Sequence, residues 1–557
     1  MTEQLNKNGS DIFSEKAIAI HMKKLGLIDN KKEFISEITK CVNARVDTLE
    51  YLTANNKDSE EQKNGFEILK KFKKGLADCC TYSKTAQNLF HIENNIAKFH
   101  AELHASVLET IIEKIRRDYI ECPSCHSIDI TEIAKRKKNN HKQIKTCSGA
   151  LLSLNKKFYG MFKCNNCKNE FDFMKEILSF NNEGNNTPLA QKKICSANRA
   201  GSYENAAKNL KELINLDINR NQVQEISCQV GKYIENEFCE LLKTVSQRQS
   251  QNIIQKNHPL VKELKIDRRY LDKSKYLICV AADGGRMQMF KWIPLEEEGL
   301  KRKKKFYWHE NKVFRISIYD KQILHEIEND SNSVTKKKKY QSMKIISNLT
   351  TYAATNEKWK DSVGLVESHL YMRGIKPADV QLCLSDGSEH IEREIFEPLF
   401  PKATHILDYY HKTEALHECM KISGKNETKM AKDLQDYLWE GEIDLLLKSL
   451  KKIQSEIGLP KVGKKRNPED PKVKFDCFIN HIEKNSHRLQ YQEYKKRRYP
   501  IGSGSIESAV KLFGKRIKGT EKQWGDKGAE AILHLYSFLL SEDNRWEKLW
   551  QVQTPWI

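Results

Sequence analysis

The chain has 557 residues, 39% of them hydrophobic, with 95 Lys and Arg against 75 Asp and Glu, a formal charge of +20. That length suggests about three or four domains with room for a sizeable core. The cationic surplus favours a polyanionic partner, nucleic acid before an anionic membrane. No run approaches the roughly 18 apolar residues of a membrane span. The opening MTEQLNKNGSDIFSEKAIAIH lacks a secretion signal's basic start and apolar core. The 15 scattered cysteines make no disulfide framework. A reducing, cytoplasmic setting is expected, with paired cysteines serving as metal ligands.

Residues 1–118 read as amphipathic helices, with Ile35, Ile38 and Val42, then Phe66, Leu69 and Phe72, at helical spacing. They carry no chemical motif. Residues 119–185 are short, basic and cysteine-bearing. Cys122-Pro-Ser-Cys125 and Cys164-Asn-Asn-Cys167 each put two thiolates on one tight turn. Two such turns can supply the four ligands of a closed, structural zinc site, as in a zinc ribbon. His126 and Cys147 are nearby spares.

Residues 186–250 predict a helix-turn-helix: a helix from Ser202 to Ile214, the turn NLDIN, and a second helix from about Arg220 to Ile234. Asn221, Gln222, Gln224 and Gln229 on the second helix are able to read base edges in a major groove. Strand-like segments follow between Tyr276 and Tyr319, with KRKKK (301–305) and KKKK (336–339) as solvated loops. The order then becomes helix (358–374), strand VQLCLSD, helix IEREIFEPLF, strand ATHILDYY, helix HKTEALHECM, which predicts an α/β sheet. Residues 425–495 read as a charged helical insertion broken at GLPKVGKKRNPEDP, and the last sixty residues return to helix.

Three acids stand out. Asp283 ends the apolar run YLICVAAD before Gly-Gly, Asp386 ends VQLCLSD before Gly387, and Glu507 follows the Gly-Ser turn of YPIGSGSIESAVK. Acids at the carboxyl ends of neighbouring strands converge on one sheet edge, and a third from a helix across that edge would complete a cage for two Mg²⁺ or Mn²⁺ ions. Asp408-Tyr409-Tyr410-His411 ends the next strand. His411 could orient phosphate, hydrogen-bond a carboxylate, assist proton transfer, or simply cap the following helix; His405, inside the strand, reads as packing. Lys495, Lys496, Arg497 and Arg498, with Lys511, Lys515, Arg516 and Lys518, bracket Glu507 and are expected to contact phosphates. Trp524 could stack on an unpaired base, but a helix anchor is favoured.

AADGGRMQ (281–288), LSDGSEHI (384–391), ILDYYHKTEALHE (406–418) and YPIGSGSIESAVK (499–511) together resemble the DDE transposases of bacterial insertion sequences, in particular the ISKra-type group. The cysteine pairs and SYENAAKNLKELINLDINRNQVQEI fall in matching order upstream. The Asp-Tyr-Tyr-His element resembles the acid-x-x-His signature of Mutator-like transposases. The resemblance spans about residues 122–550. It implies an α/β, RNase H-like catalytic core at 270–424 and 496–541, interrupted by the insertion. It also implies Asp283, Asp386 and Glu507 as the metal-binding triad, with Asp408 and His411 as accessory residues. Further implied are binding of double-stranded DNA at terminal inverted repeats and a multimer that joins two ends to target DNA. Two rival readings remain: another RNase H-like nuclease such as a resolvase, or a non-catalytic DNA-binding regulator derived from a transposase.

Overall fold

A computed structural model describes residues 89–118, 120–135, 144–152, 160–173, 177, 185–199, 201–246, 263–294, 302–329, 338–425, 429–458, 469–502, 504–519 and 522–551. The expected helices before residue 89, the stretch 153–159 and most of the break GLPKVGKKRNPEDP lie outside the described residues. The chain divides into two compact units. One comprises residues 1–194, 207–219 and 554–557, the other 195–206 and 220–553.

In the first unit, helix α1 (Leu89–Asp118) precedes a small antiparallel sheet of β1 (Ile130–Lys135), β4 (Gly160–Cys164) and β5 (Glu170–Asp172), in the order β1-β4-β5. A short hairpin, β2 (Ile144–Lys145) and β3 (Leu151–Leu152), lies between β1 and β4 in sequence. Ala105 and Ile112 of α1 bury themselves against Ile144, Leu152, Phe162, Phe171 and Phe173. The Phe162 and Phe171 rings, opposite each other on β4 and β5, stack with centroids 5.9 Å apart, and Phe173 meets Phe162 edge-on at 6.4 Å. Among the described residues of 186–250 the two expected helices, here α3 (Tyr203–Ile214) and α4 (Arg220–Ser246), are preceded by a further helix, α2 (Pro188–Ala197). Ser202 Oγ accepts from the Asn205 amide at 3.2 Å and caps α3. The division into units runs through this segment, with residues 207–219 in the first and α4 in the second.

The second unit is built on a mixed sheet. Its central strand β6 (Tyr276–Pro294) has a continuous apolar start, and Leu277, Ile278, Val280 and Ala282 are fully buried, as expected for a strand covered on both faces. Alongside run β7 (Arg302–Asn329), antiparallel to β6, and β8 (Lys338–Ile345), antiparallel to β7. Strand β9 (Thr351–Thr355) also pairs with β7. Helix α5 (Val363–Met372) leads to β10 (Leu382–Ser385), parallel to β6; β11 (Thr404–Leu407) is parallel to β10. The order is β11-β10-β6-β7-β8.

Two expectations fail in this sheet. β6 does not end at Asp283 but continues through Gly284 and Gly285, which pair with Lys312 and Asn311 of β7. A Cβ on either glycine would lie within 2.6 Å of the Glu310 or Asn311 side chain, so these glycines make room for cross-strand neighbours. The lysine runs are not loops: Arg302–Lys305 belong to β7 and Lys338–Lys339 to β8, paired in the ladder, with Arg302–Lys305 and Lys339 exposed. Residues 301, 336 and 337 lie outside the described residues.

From β11 the chain enters α6 (Tyr409–Ile422), then α7 (Lys429–Glu440), α8 (Ile443–Ile457), α9 (Pro471–Lys484) and α10 (Tyr491–Lys496). The Tyr491 hydroxyl donates to the Leu407 carbonyl at 3.0 Å, tying these helices to the end of β11. Helix α11 (Gly504–Ile517) packs across β6 and β7. Helix α12 (Asp526–Leu540), buried almost all round, packs on α4 and β9, and α13 (Arg545–Gln551) follows. Among the described residues no helix is long and apolar enough to cross a membrane.

Candidate functional site

Among the described residues two clusters of ligand-type side chains form, one in each unit. In the first, Cys122, Cys125, Cys164 and Cys167 bring their sulfurs within 4.8 Å of one another, with Cys122 Sγ 3.4 Å from Cys167 Sγ and Cys125 Sγ 3.6 Å from Cys164 Sγ. The two turns are built alike. The His126 amide returns to the Cys122 carbonyl at 2.9 Å and the Lys168 amide to the Cys164 carbonyl at 3.0 Å, with His126 and Lys168 both left-handed. Burial works against a thiolate at Cys122, but amides of Ser124 and Cys125 outweigh it and bring the thiol down to about 6. This Cys₄ cluster could bind a metal such as zinc. Cys147 is buried outside it, and His126 pairs with Glu121 at 3.3 Å.

The second cluster follows from strand register. Leu384 of β10 lies opposite Ala281 of β6, and Ser385 opposite Leu407 of β11. Asp386 therefore sits level with Asp283 on one side and Asp408 on the other, three carboxylates on adjacent parallel strands about 4.8 Å apart. The Asp408 amide donates to the Ser385 carbonyl at 2.9 Å, and the Ser388 amide to Asp386 Oδ1 at 2.9 Å. Asp408 caps α6 by accepting from the His411 amide at 2.6 Å, which aims the His411 ring between two acids. His411 Nδ1 lies 3.9 Å from Asp408 Oδ1, and its Nε2 lies 4.0 Å from Glu507 Oε1. Glu507 comes from the first turn of α11. A Cβ at Gly502 would fall 2.4 Å from the Tyr410 ring, so this position must be glycine for the turn before α11 to close on α6. Asp408, His411 and Glu507 each offer a ligand atom within 4.8 Å of the others and could hold a metal ion.

Electrostatics join the remaining acids to this group. Asp283 is pushed up to about 6, first by burial and then by the Asp386 carboxylate, with Glu507 adding to the rise and His411 opposing it. The structure thus gathers Asp408, His411 and Glu507 within ligand distance of one another, and sets Asp283 and Asp386 beside them by strand register but outside that 4.8 Å group.

Two further members were not anticipated. Lys412, buried next to His411, is lowered from the usual lysine range by burial, with the Asp386 and Asp408 carboxylates opposing that shift. His481 arrives from α9, and burial with the Lys412 charge lowers it to about 4. Neutral His481 Nε2 therefore accepts from Lys412 Nζ at 3.0 Å. No local pattern marks this pair. His405 is structural, paired with Glu392, which also binds Arg488 at 2.8 Å.

The expected nucleic-acid contacts scatter. Asn221 and Gln224 are exposed on α4, and Gln222 is half-buried. Arg497 is exposed and pairs with Glu493, Arg498 is exposed, and Lys511 lies 3.6 Å from Glu507. Lys515 is exposed. Lys495 turns inward, its ammonium 3.7 Å from the Trp439 ring centroid and 2.7 Å from the Trp439 carbonyl. Arg516 is not a surface cation: it is 1% exposed, stacked over Tyr203 and Trp524 at 4.3 and 4.9 Å. Its helical position, three after Phe513 and seven after Ala509, puts it on the buried face of α11. Trp524 is an anchor, its indole N–H donating to the Ile517 carbonyl at 2.9 Å.

No model of a known protein family matches the chain, and no curated protein matches it.

Proposed function

We propose that the chain is a DDE-type DNA transposase with an RNase H-like core, using Mg²⁺ or Mn²⁺ to cleave strands at element ends and join them to target DNA. The observation that carries this reading is the row Asp283–Asp386–Asp408, level across three adjacent parallel strands, with Asp283 inside β6 and Asp386 and Asp408 just past the ends of β10 and β11, faced by Glu507 from α11. The strand order, with β10 and β11 parallel to β6, β7 antiparallel to β6, and β8 and β9 each antiparallel to β7, supports an RNase H-like sheet, and α7–α10 support a helical insertion. The donors fit a hard divalent cation. They are mostly carboxylate oxygens, and burial first, then repulsion from the Asp386 carboxylate, holds Asp283 up at about 6. When bound, such ions supply charge neutralisation and a hydroxyl nucleophile for in-line phosphoryl transfer.

Asp283, Asp386 and Glu507 hold the cations. Asp408 fixes the start of α6 and the aim of His411, which orients a phosphate oxygen or carboxylate by hydrogen bonding. Lys412, steadied by His481, limits repulsion between Asp386 and Asp408. Upstream, the Cys₄ turns hold a structural zinc, and exposed Asn221 and Gln224 offer contacts to base edges of double-stranded terminal repeats. Joining two ends calls for a homo-oligomer on DNA. Incubation with DNA carrying the element ends and Mg²⁺ tests the reading. Cleavage by the wild type should fall by at least about 10³-fold in Asp386→Ala, the scale of losing a group that stabilises the transition state. Equal cleavage by both proteins, or none by either, overturns it.

A further inference from the structure

The β6–β7 pair continues past the carboxylates as a two-stranded ribbon whose features the proposed chemistry does not use. Register places Gln288 opposite Trp308, Phe290 opposite Phe306 and Trp292 opposite Lys304, so these six side chains share one face. The face is open: Trp308 is 66% exposed, Trp292 55% and Phe306 43%. The Lys304 ammonium stands 4.4 Å from the Phe290 ring centroid and 5.5 Å from that of Trp292. Arg302 is exposed on the same face, Lys303 and Lys305 are exposed on the reverse of the ribbon, and Arg286 is exposed at the near end of the ring face. By strand alternation this face is opposite to Asp283, so the rings lie outside the carboxylate site.

From this we infer that the ribbon face of Phe290, Trp292, Phe306 and Trp308 is a stacking platform for an unpaired DNA strand. The inference rests on the reading of the chain as a DNA-processing enzyme. Exposed rings between cations match what a single strand offers, bases with free π-faces on an anionic backbone. A duplex hides those π-faces and would meet only the lysines. A protein partner would have to bring carboxylates to pair with Lys304 and its basic neighbours as it buried them. Charge on the ribbon favours nucleic acid even with Glu296, Glu297 and Glu298 in the connecting sequence, because Arg286, Lys291, Lys301, Arg302, Lys303, Lys304 and Lys305 outnumber them and Glu310.

The test uses the full-length protein in EDTA, so that no strand is cut, with labelled oligo-dT and a duplex of equal length followed by fluorescence anisotropy. Trp292→Ala and Trp308→Ala should each weaken oligo-dT binding by at least about fivefold, as loss of a base–aromatic stack does, and leave duplex binding within about twofold. Trp→Phe at either position should restore most of the affinity. Replacing Lys303, Lys304 and Lys305 with Ala should weaken both ligands and flatten the salt dependence. Unchanged oligo-dT affinity in the ring variants overturns the platform, as does an equal loss for duplex. Self-association of the wild type that the ring variants abolish, with oligo-dT binding intact, would assign the face to a second copy and overturn it too. Failure here alongside Asp386-dependent cleavage leaves the enzyme reading standing. Oligo-dT binding that needs the rings, without cleavage, removes the enzyme reading and keeps the platform.

Discussion

The thiolate and carboxylate clusters reach similar ligand spacings by opposite routes. The four sulfurs come from two turns, each closed by its own backbone hydrogen bonds, and their 3.4 and 3.6 Å contacts approach the ~3.8 Å edge of a tetrahedron with 2.3 Å metal–sulfur bonds. The carboxylates come from three strands and a helix between residues 283 and 507, and only the register of β6, β10 and β11 makes them neighbours. The two clusters also differ in how their negative charge is met. Lys412 stands within the acid cluster, while the sulfurs are met by backbone amides, the Asn166 side-chain amide and one another. A site made of local turns depends on its metal for cohesion; a site made of sheet register depends on the fold, and binds metal afterwards.

The largest expected effect tests the first half of that contrast. The purified protein should carry one zinc per chain, and its removal, or Cys122→Ser with Cys164→Ser, should unfold the region around β1, β4 and β5. Structural zinc contributes on the order of 10 kcal/mol to such small units. Metal analysis and protease sensitivity of this region read the outcome. A metal-free protein whose Phe162–Phe171–Phe173 core resists protease would show that packing against α1 suffices, and the contrast would collapse.

The second half predicts the reverse behaviour for Asp283. Its folded value near 6 lies above the ordinary ~3.9 of an unfolded aspartate, so the folded state binds its proton more tightly. Metal-free stability should therefore fall as pH rises from about 4 through 6 and remain lower above that. Asp283→Asn should remove this dependence and stabilise the metal-free protein at pH 7.5 by about 1–3 kcal/mol, while abolishing strand cleavage. Urea unfolding in EDTA at pH 5 and 7.5 reads the sign. A variant less stable than the wild type at pH 7.5 would mean that the carboxylate is held by attraction, against the arrangement described.

How much of this the sequence showed depends on whether a signal was local. The cysteine turns are legible because three-residue spacing alone dictates their geometry. β10 and β11 are legible because each is a short apolar run ending in an acid. The end of β6 was misread because Gly284-Gly285 looks like a turn, when the room those glycines leave is taken by Glu310 and Asn311, known only from the pairing with β7. The same long pairing holds Arg302–Lys305 in a strand that their charge had suggested was a loop. Arg516 was misread although a signal existed, since it continues the apolar stripe of Ala509 and Phe513. Lys412 and His481 were beyond reach: they meet across 69 residues, and only the packing of α6 on α9 joins them.

That pair gives the finest test, because it asks whether the fold itself supplies part of the counter-charge. Lys412→Met keeps the length of the side chain and removes its ammonium, leaving Asp386 and Asp408 without a buried cation. The metal-free protein should lose about 1–3 kcal/mol, the cost of stranding a buried charged partner. Divalent cations then have more repulsion to relieve, so Mg²⁺ should raise the melting temperature of Lys412→Met by more than it raises that of the wild type. Binding to the folded state produces such a gain by mass action, and its size reports the affinity. His481→Gln, which can still accept from Lys412, should behave like the wild type in both respects. If Mg²⁺ stabilises Lys412→Met no more than the wild type, the ammonium is not acting on the carboxylates, and the acid cluster would be as dependent on added metal as the thiolates are.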